Sequence, residues 1–391
     1  SELYTGRYPH RNGCAWNHGT CRPGTQSMPH ILKPQGYRVG LAGKTHVKPR
    51  ESFPFEKIPG FDQNCVRNPT RPHDLSGSKE FLTRDLNQPF CLVVALTEPH
   101  APWVMGDASA YPPGKIKLPA YLADTPMTRQ QYADYLAEIT YMDSQVGELL
   151  ALLKETKNSD NTLVLFTSEQ GAQFPGCKWT NWDNGLHTSL VARWPKKIAT
   201  GRTNAIVQYA DILPTILDLA GTKPNPKTFD GRSFAGVLLG KKSNHREHAF
   251  GMHNNYPEGP TYPIRSITNG KWRYIRNLSH ASLYIEKHLM GKHEHNPYWS
   301  SWVFSSFSNP KHEMLVNRFM KRPAEELYHT NEDPYELTNL ASNPAHARIK
   351  ETLATILDQH LKDQGDPGLF LDTQKAHKAA ANLTPSFQSK P

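Results

Sequence analysis

Residues 90–97 read FCLVVALT and residues 162–167 read TLVLFT, two runs with hardly a polar interruption. A strand with one wet face alternates, whereas a continuous apolar run belongs to a strand covered on both faces, the habit of parallel sheets. Between them, Gln130–Lys154 sets Tyr135, Ile139, Met142, Val146, Leu149 and Leu153 at helical spacing, which predicts a long amphipathic helix. Tyr37–Ala42 (YRVGLA) and Ser189–Trp194 (SLVARW) read as further short strands. Asp211 stands at an N-cap position before ILPTILDLAG, a segment that stops at Gly221 as a helix should. Strands alternating with helices indicate an α/β fold with a large, mostly parallel sheet between helices.

The pattern changes after about Leu239. Tyr262–Thr268 and Lys271–Arg276 flank Asn269-Gly270, a strong hairpin signal. Leu327-Tyr328 opens another extended piece, and Pro344–Lys362 is helical in pattern. The chain therefore divides into residues 1–240 and a C-terminal α+β part, 241–391, with a small antiparallel sheet and a packed helix. The polar stretch from Gly365 onward reads as a loose tail. No internal repeat is present.

The 391 residues are 37 % hydrophobic and 21 % charged, as in a globular protein, and no apolar run reaches the ~18 residues of a membrane span. Lys and Arg number 45 against 36 Asp and Glu, a net charge of +9, which favours an anionic partner. The basic residues are scattered rather than blocked, which argues against nucleic acid. The five cysteines, Cys14, Cys21, Cys65, Cys91 and Cys177, include no CxxC pair, so a zinc knuckle is not expected. They read as free, partly buried thiols, with a Cys14–Cys21 bridge as the alternative. The chain opens at Ser1-Glu2-Leu3 without Met or signal peptide, which reads as the middle of a gene.

In an open α/β sheet, ligands bind beyond the carboxyl ends of the strands. Gly43-Lys44-Thr45-His46 follows YRVGLA, Glu98-Pro99-His100 follows FCLVVALT, and Ser168-Glu169-Gln170-Gly171 follows TLVLFT, with Lys178 soon after. Lysines and histidines gathered together suit a tetrahedral oxyanion, and histidine can also move a proton. Glu169 and Gln170 offer hard oxygen ligands, which suit calcium or magnesium better than zinc. Each residue alone has a plain explanation as a surface or loop residue; their convergence at one sheet edge lifts the set. Asp143, inside the long helix, reads as structural. Trp179 and Trp182 suit either a sugar platform or a core. Asn277-Leu278-Ser279 matches a glycosylation triplet of a kind common by chance.

These residues resemble the sulfatase family. Leu3–Gly13 (LYTGRYPHRNG) is similar to the second half of its signature, Gly43–His46 to its GKxH element, Pro99–Trp103 to its PHxPW element, and Thr167–Gly171 to its TSDxG metal turn. Asp211–Thr215, Glu326–Tyr328, Asp333-Pro334 and Glu336 also match, so the likeness runs over nearly the whole chain. Lys44–Phe55, Phe174–Asn181, Tyr262–Arg265 and Arg273–Ile275 look most like the heparan N-sulfatase (sulfamidase) branch. The resemblance implies an alkaline-phosphatase-like sandwich and hydrolysis of sulfate from a sulfated sugar or glycan. A hydrated formylglycine, made from Cys or Ser by a formylglycine-generating enzyme, would attack sulfur beside Ca2+. Lys44, His100 and Lys178 would contact the sulfate, His46 would bond the formylglycine, Glu169 and Gln170 would bind calcium, and His253 is placed as a substrate contact by position alone. The family's members are exported to the periplasm, the outside or a lysosome.

Two departures stand out. Glu169 takes the place of the usual Asp. The nucleophile's Cys/Ser-x-Pro-x-Arg stretch belongs directly before the equivalent of Ser1, and two acidic calcium ligands belong to an earlier strand. The 391 residues alone are therefore expected to lack a central strand, leave sheet edges exposed and show no turnover. An O-sulfatase on another sulfated polysaccharide, a phosphoester hydrolase of the same superfamily, which would need a second metal, and a non-catalytic sulfated-glycan binder are the alternative functions.

Overall fold

The computed structural model describes residues 1–64, 69–291 and 296–382. Strands β1 (Arg38–Gly43), β2 (Glu56–Ile58) and β3 (Phe90–Ala95) form a parallel sheet in the order β2-β1-β3. β4 (Val164–Thr167) and β5 (Leu190–Arg193) form a separate antiparallel ladder. The parallel part is thus smaller than the sequence pattern suggests. Every position of β3 and β4 is only half-buried, although both sequences are those of covered strands. Among the described residues β3 pairs with β1 alone and β4 with β5 alone, so each keeps one edge open.

The long helix α1 runs from Pro126 to Glu155, starting four residues before the periodic pattern because Thr125 caps it, accepting from Thr128 N at 3.1 Å ahead of a proline at the first turn. Helix α2 (Ile212–Leu219) follows Asp211, but the Asp211 carboxylate does not cap it. It turns instead to Arg246 and to the Arg232 N–H at 2.7 Å.

The second part holds an antiparallel sheet of β6 (Ala249–His253), β7 (Ile264–Thr268), β8 (Trp272–Asn277) and β9 (Glu325–His329), with the β7–β8 turn at Asn269-Gly270. Short helix α3 (Lys287–Met290) and helices α4 (Pro297–Ser306) and α5 (Pro310–Met320) intervene before β9. Helix α6 (Ala347–Gln364) covers the sheet through Leu353 and Leu357. One aromatic core, with Trp103, Phe174, Trp182, Tyr262, Tyr284, Trp302 and Phe319, draws on both parts of the chain.

The stretch from Gly365 to Asn382 is anchored rather than loose. Asp366 pairs with Arg265 and lies 3.3 Å from His10, while buried Asp372 accepts the N–H groups of Asn255, Tyr256 and Tyr262 at 2.9, 2.7 and 2.6 Å. Helix α7 (Gln374–Asn382) follows. Asn277 is 1 % exposed and bonded to Pro323 O and Glu326, so it is closed to glycosylation. Cys14, Cys21, Cys91 and Cys177 are free thiols; Cys65 lies outside the described residues. No helix among the described residues is long and apolar enough to cross a membrane.

Candidate active site

β1 ends at Gly43, whose φ is +84°. A Cβ there would lie 2.2 Å from Ala95 O, so glycine alone lets the chain turn this close over β3. Lys44 N donates to the same carbonyl at 2.8 Å, and its ammonium reaches Glu169 Oε2 at 3.3 Å. The end of β1 and the turn after β4 thereby face each other.

That turn is held from two sides. The Tyr209 hydroxyl donates to Ser168 O and meets Thr167 Oγ1 at 3.2 Å and Thr188 Oγ1 at 2.9 Å. Gly171 N donates to Gly185 O at 3.1 Å, and a Cβ on Gly171 would sit 1.9 Å from Asn184 O. Glu169 therefore projects from a fixed turn into the mouth of the site, with half-buried Gln170 next to it. Screening from water pushes the Glu169 carboxyl up, but Lys44 and Lys178 outweigh it and hold it below its ordinary value.

His100 lies five residues beyond β3. Its Nδ1 donates to Ala101 O at 2.7 Å, which leaves Nε2 with its lone pair. Burial, followed by the charges of Lys178 and Lys44, pushes its pKa down to about 4. His46 is exposed, and withdrawal from water, then Lys44 and His18, lower its pKa too. Lys178 is placed by its N–H on Ala172 O at 3.0 Å, with Nζ 4.8 Å above the Trp179 ring. Lys44, His46, His100, Glu169 and Lys178 thus share one electrostatic neighbourhood. Two ammonium groups face one carboxylate beside two histidines kept neutral, a surplus of positive charge suited to a multiply charged oxyanion.

Three other residues singled out in the sequence can be placed as well. His253 ends β6 between Trp179 and Tyr284, with Nε2 3.4 Å from Asn255 Oδ1 and 3.3 Å from the Tyr284 hydroxyl. Burial drives its pKa down to about 3. Half-buried, it lies against Trp179, the ring that Lys178 also meets. Trp182 is core: its Nε1 donates to Glu326 at 2.7 Å and Arg318 and Arg322 lie over its ring. Asp143 is exposed on α1.

Sequence reasoning missed a neighbouring cluster. Glu258, Glu286 and His288 bring ligand atoms within 4.8 Å of one another, a grouping that invites a metal. Its oxygens are already spent. Glu258 accepts from Asn17 Nδ2 at 2.8 Å, Lys287 Nζ at 2.8 Å and His288 Nε2 at 2.6 Å, while Glu286 caps α3 through the His288 and Leu289 N–H groups at 3.0 and 2.8 Å. Lys287 supplies the cation there.

A parallel sheet, a cationic cluster gathered beyond the ends of β1, β3 and β4, and a small antiparallel sheet after them fit the alkaline-phosphatase-like fold. The sulfatase family profile matches residues 1–222, and that described as N-sulphoglucosamine sulphohydrolase, C-terminal, matches residues 177–290. An ulvan-active sulfatase of Formosa agariphila is 32 % identical over 378 residues, which cover 94 % of this chain and 70 % of that one. The human N-sulphoglucosamine sulphohydrolase is 26 % identical over 427 residues, covering 94 % and 80 %. A protein solved in complex with its substrate D-glucosamine-2-N,6-O-disulfate superposes with a TM-score of 0.69 at 18 % identity, covering 95 % of this chain and 88 % of that one, and this likeness speaks for the fold. The chain belongs to the sulfatase family, the hydrolases of sulfuric esters and sulfamides.

Proposed function

We propose that this chain carries most of the catalytic machinery of a sulfated-glycan sulfatase. The observation that supports it most directly is the meeting of Lys44, His100, Glu169 and Lys178 beyond the ends of β1, β3 and β4. In this reading Lys44 and Lys178 hold the sulfate oxygens as point charges. His100, neutral and fixed in its Nδ1–H tautomer, presents Nε2 to the sulfate group, and His46 stands where a proton can be taken up at the mouth. Both histidines gain affinity for a proton when an anion binds between the lysines, so substrate itself readies them for proton transfer.

The nucleophile in this reading is a formylglycine outside the 391 residues, installed by a formylglycine-generating enzyme; once hydrated, it supplies the oxygen that attacks sulfur. The open edges of the apolar strands β3 and β4 support a further strand of the same protein there. For calcium, Glu169 and Gln170 are hard oxygen donors on a rigid turn, but two side chains fall short of the 6–8 oxygens that calcium takes. They fit one flank of the ion, and acidic residues of the absent strand would complete it. The protein would work after export, in the periplasm, outside the cell or in a lysosome-like compartment.

The test is sulfate release by the full-length protein, co-expressed with the maturation enzyme. N-sulfated glucosamine comes first, because the N-sulphoglucosamine sulphohydrolase profile spans residues 177–290. O-sulfated oligosaccharides of acidic polysaccharides come second, because of the ulvan-active relative. Release from either supports the reading and selects the linkage; no release from any, with formylglycine verified by mass spectrometry, refutes it. Calcium offers a separate check. At about 100 times its Kd it should stabilise the full-length protein by roughly 2.7 kcal/mol, and Glu169→Ala should weaken its binding more than ~tenfold. An unchanged calcium-dependent melting shift in that variant would remove Glu169 from the ligand set.

A further inference from the structure

Two residues outside glycine adopt left-handed backbone beside the site, His18 at φ 55° and Trp179 at φ 69°. Such strain persists only where the surroundings hold it, and it gathers at ligand clamps. Trp179 is held by the Tyr284 hydroxyl, which donates to its carbonyl at 2.6 Å, and by His288, stacked on the indole at 5.7 Å and 18°. Lys178 Nζ leans on the same ring at 4.8 Å. His18 is exposed, with its ring 5.6 Å from that of His46. Its neighbour Asn17 bonds Glu258, the residue that also holds Lys287 and His288.

A band of cationic and imidazole groups therefore leads from the catalytic lysines across one indole to Lys287 and His288, within the span of a sugar residue or two. Glu258 is buried, with its side chain 2 % exposed, whereas those of Lys287 and His288 are 56 % and 41 % exposed. One carboxylate thus fixes a solvent-facing ammonium and, through Nε2, an imidazole whose Nδ1 edge faces outward and donates once the ring takes up a proton. An ammonium has three N–H groups; Glu258 engages one at 2.8 Å and Pro257 O a second at 3.4 Å, which leaves one for a ligand. A buried acid that orients an exposed Lys–His pair beside a sulfate site has the build of an anion subsite rather than of a surface ion pair.

We infer that Lys287 and His288, aimed by Glu258 and backed by Trp179, form a subsite for a second oxyanion on the same saccharide, a uronate carboxylate or a further sulfate. The inference rests on the sulfatase reading above and names what that substrate carries beyond the sulfate to be cleaved. It makes the preferred substrate at least dianionic.

The experiment uses the matured full-length enzyme and whichever monosulfated sugar it turns over, alone, with a second sulfate, and linked to a uronic acid. The wild type should show a lower KM for a doubly charged substrate, and comparison of the two charged forms identifies the oxyanion. Lys287→Ala and His288→Gln should each raise that KM about tenfold with kcat unchanged, leave the monosulfated KM in place, and be rescued in part by Lys287→Arg. Equal effects on all substrates, or none, would overturn the subsite. Calorimetry with the unsulfated uronate disaccharide separates the two readings. If no sugar releases sulfate, the sulfatase reading fails; the subsite then stands if Lys287→Ala weakens this Kd about tenfold and falls if it does not.

Discussion

On the function proposed above, replacing Lys44 by Ala is expected to lower kcat by about a hundred- to a thousandfold while the protein melts as the wild type does. Both halves follow from where the ammonium sits. Gly43 turns the chain over β3 so tightly that Lys44 N shares Ala95 O, and the side chain can only reach out over the end of the sheet. Its partner Glu169 lies at the open mouth, 3.3 Å away. The Lys44 side chain is 19 % exposed but that of Glu169 is 69 % exposed, and a pair open to water on one side contributes about 0–1 kcal/mol to stability, so its loss is scarcely felt in folding. Charge placed in advance beside a group that gains charge during reaction is worth roughly 3–4 kcal/mol to the barrier, several times more. The same substitution removes a cation that lowers the pKa values of His100 and His46, so both should titrate higher in the variant. Sulfate-release kinetics, thermal melting and imidazole NMR together check this. A kcat within about threefold of wild type would take Lys44 out of the anion site; a lost or broadened melting transition would show its role to be structural.

The proposed anion site is legible in the sequence because its signal is positional. Lys44, His100 and Glu169 each follow an apolar strand within a few residues, and strand ends are where such sheets bind ligands. Tyr209 carries no such mark. It reaches Ser168 O from some 40 residues away in sequence, through a bond that only the folded chain creates. Lys287-His288 likewise looks like any basic dipeptide until Glu258 and Asn17 are brought to it. Among the elements, α4 and α5 went unread although Asn296-Pro297 and Asn309-Pro310 announce both starts; Asn309 caps α5, accepting from Lys311 N at 3.0 Å. The anchored tail was hidden for the opposite reason, since the polarity of Asp366 and Asp372 suggests solvent while their partners lie about a hundred residues upstream. Long apolar strands and the Asn-Gly hairpin were readable because their signals are local and repeated. Buried polar pairs over long separations leave none.

Asp211→Asn is expected to destabilise the protein by about 3–5 kcal/mol and to flatten its stability in acid. Asp211 is fully buried, yet its carboxylate accepts from Gln208 N at 2.9 Å, Arg232 N at 2.7 Å and Arg246 Nε at 2.6 Å, with His245 Nε2 at 3.1 Å. Burial alone would push the carboxyl up; His245 close by and the bonds from Arg246 outweigh it and bring the pKa down to about 2 from 3.8. A carboxyl depressed in the folded state stabilises it above its unfolded pKa, and the contribution is lost as pH falls from about 4 through about 2. That linkage amounts to roughly 2 kcal/mol, less than the cost of the substitution. The difference is Arg246, whose side chain is 7 % exposed and would be left as a buried cation without its counter-charge. Gln208 and Tyr209 sit in the same turn, so loosening it also slackens the hydroxyl that fixes Ser168 and, through it, Glu169. Urea unfolding at pH 7 and at pH 3 should therefore show a large gap between wild type and variant that narrows in acid. A gap under about 1 kcal/mol at pH 7, or one that widens toward pH 3, would mean that Asp211 does not neutralise Arg246 as the fold implies.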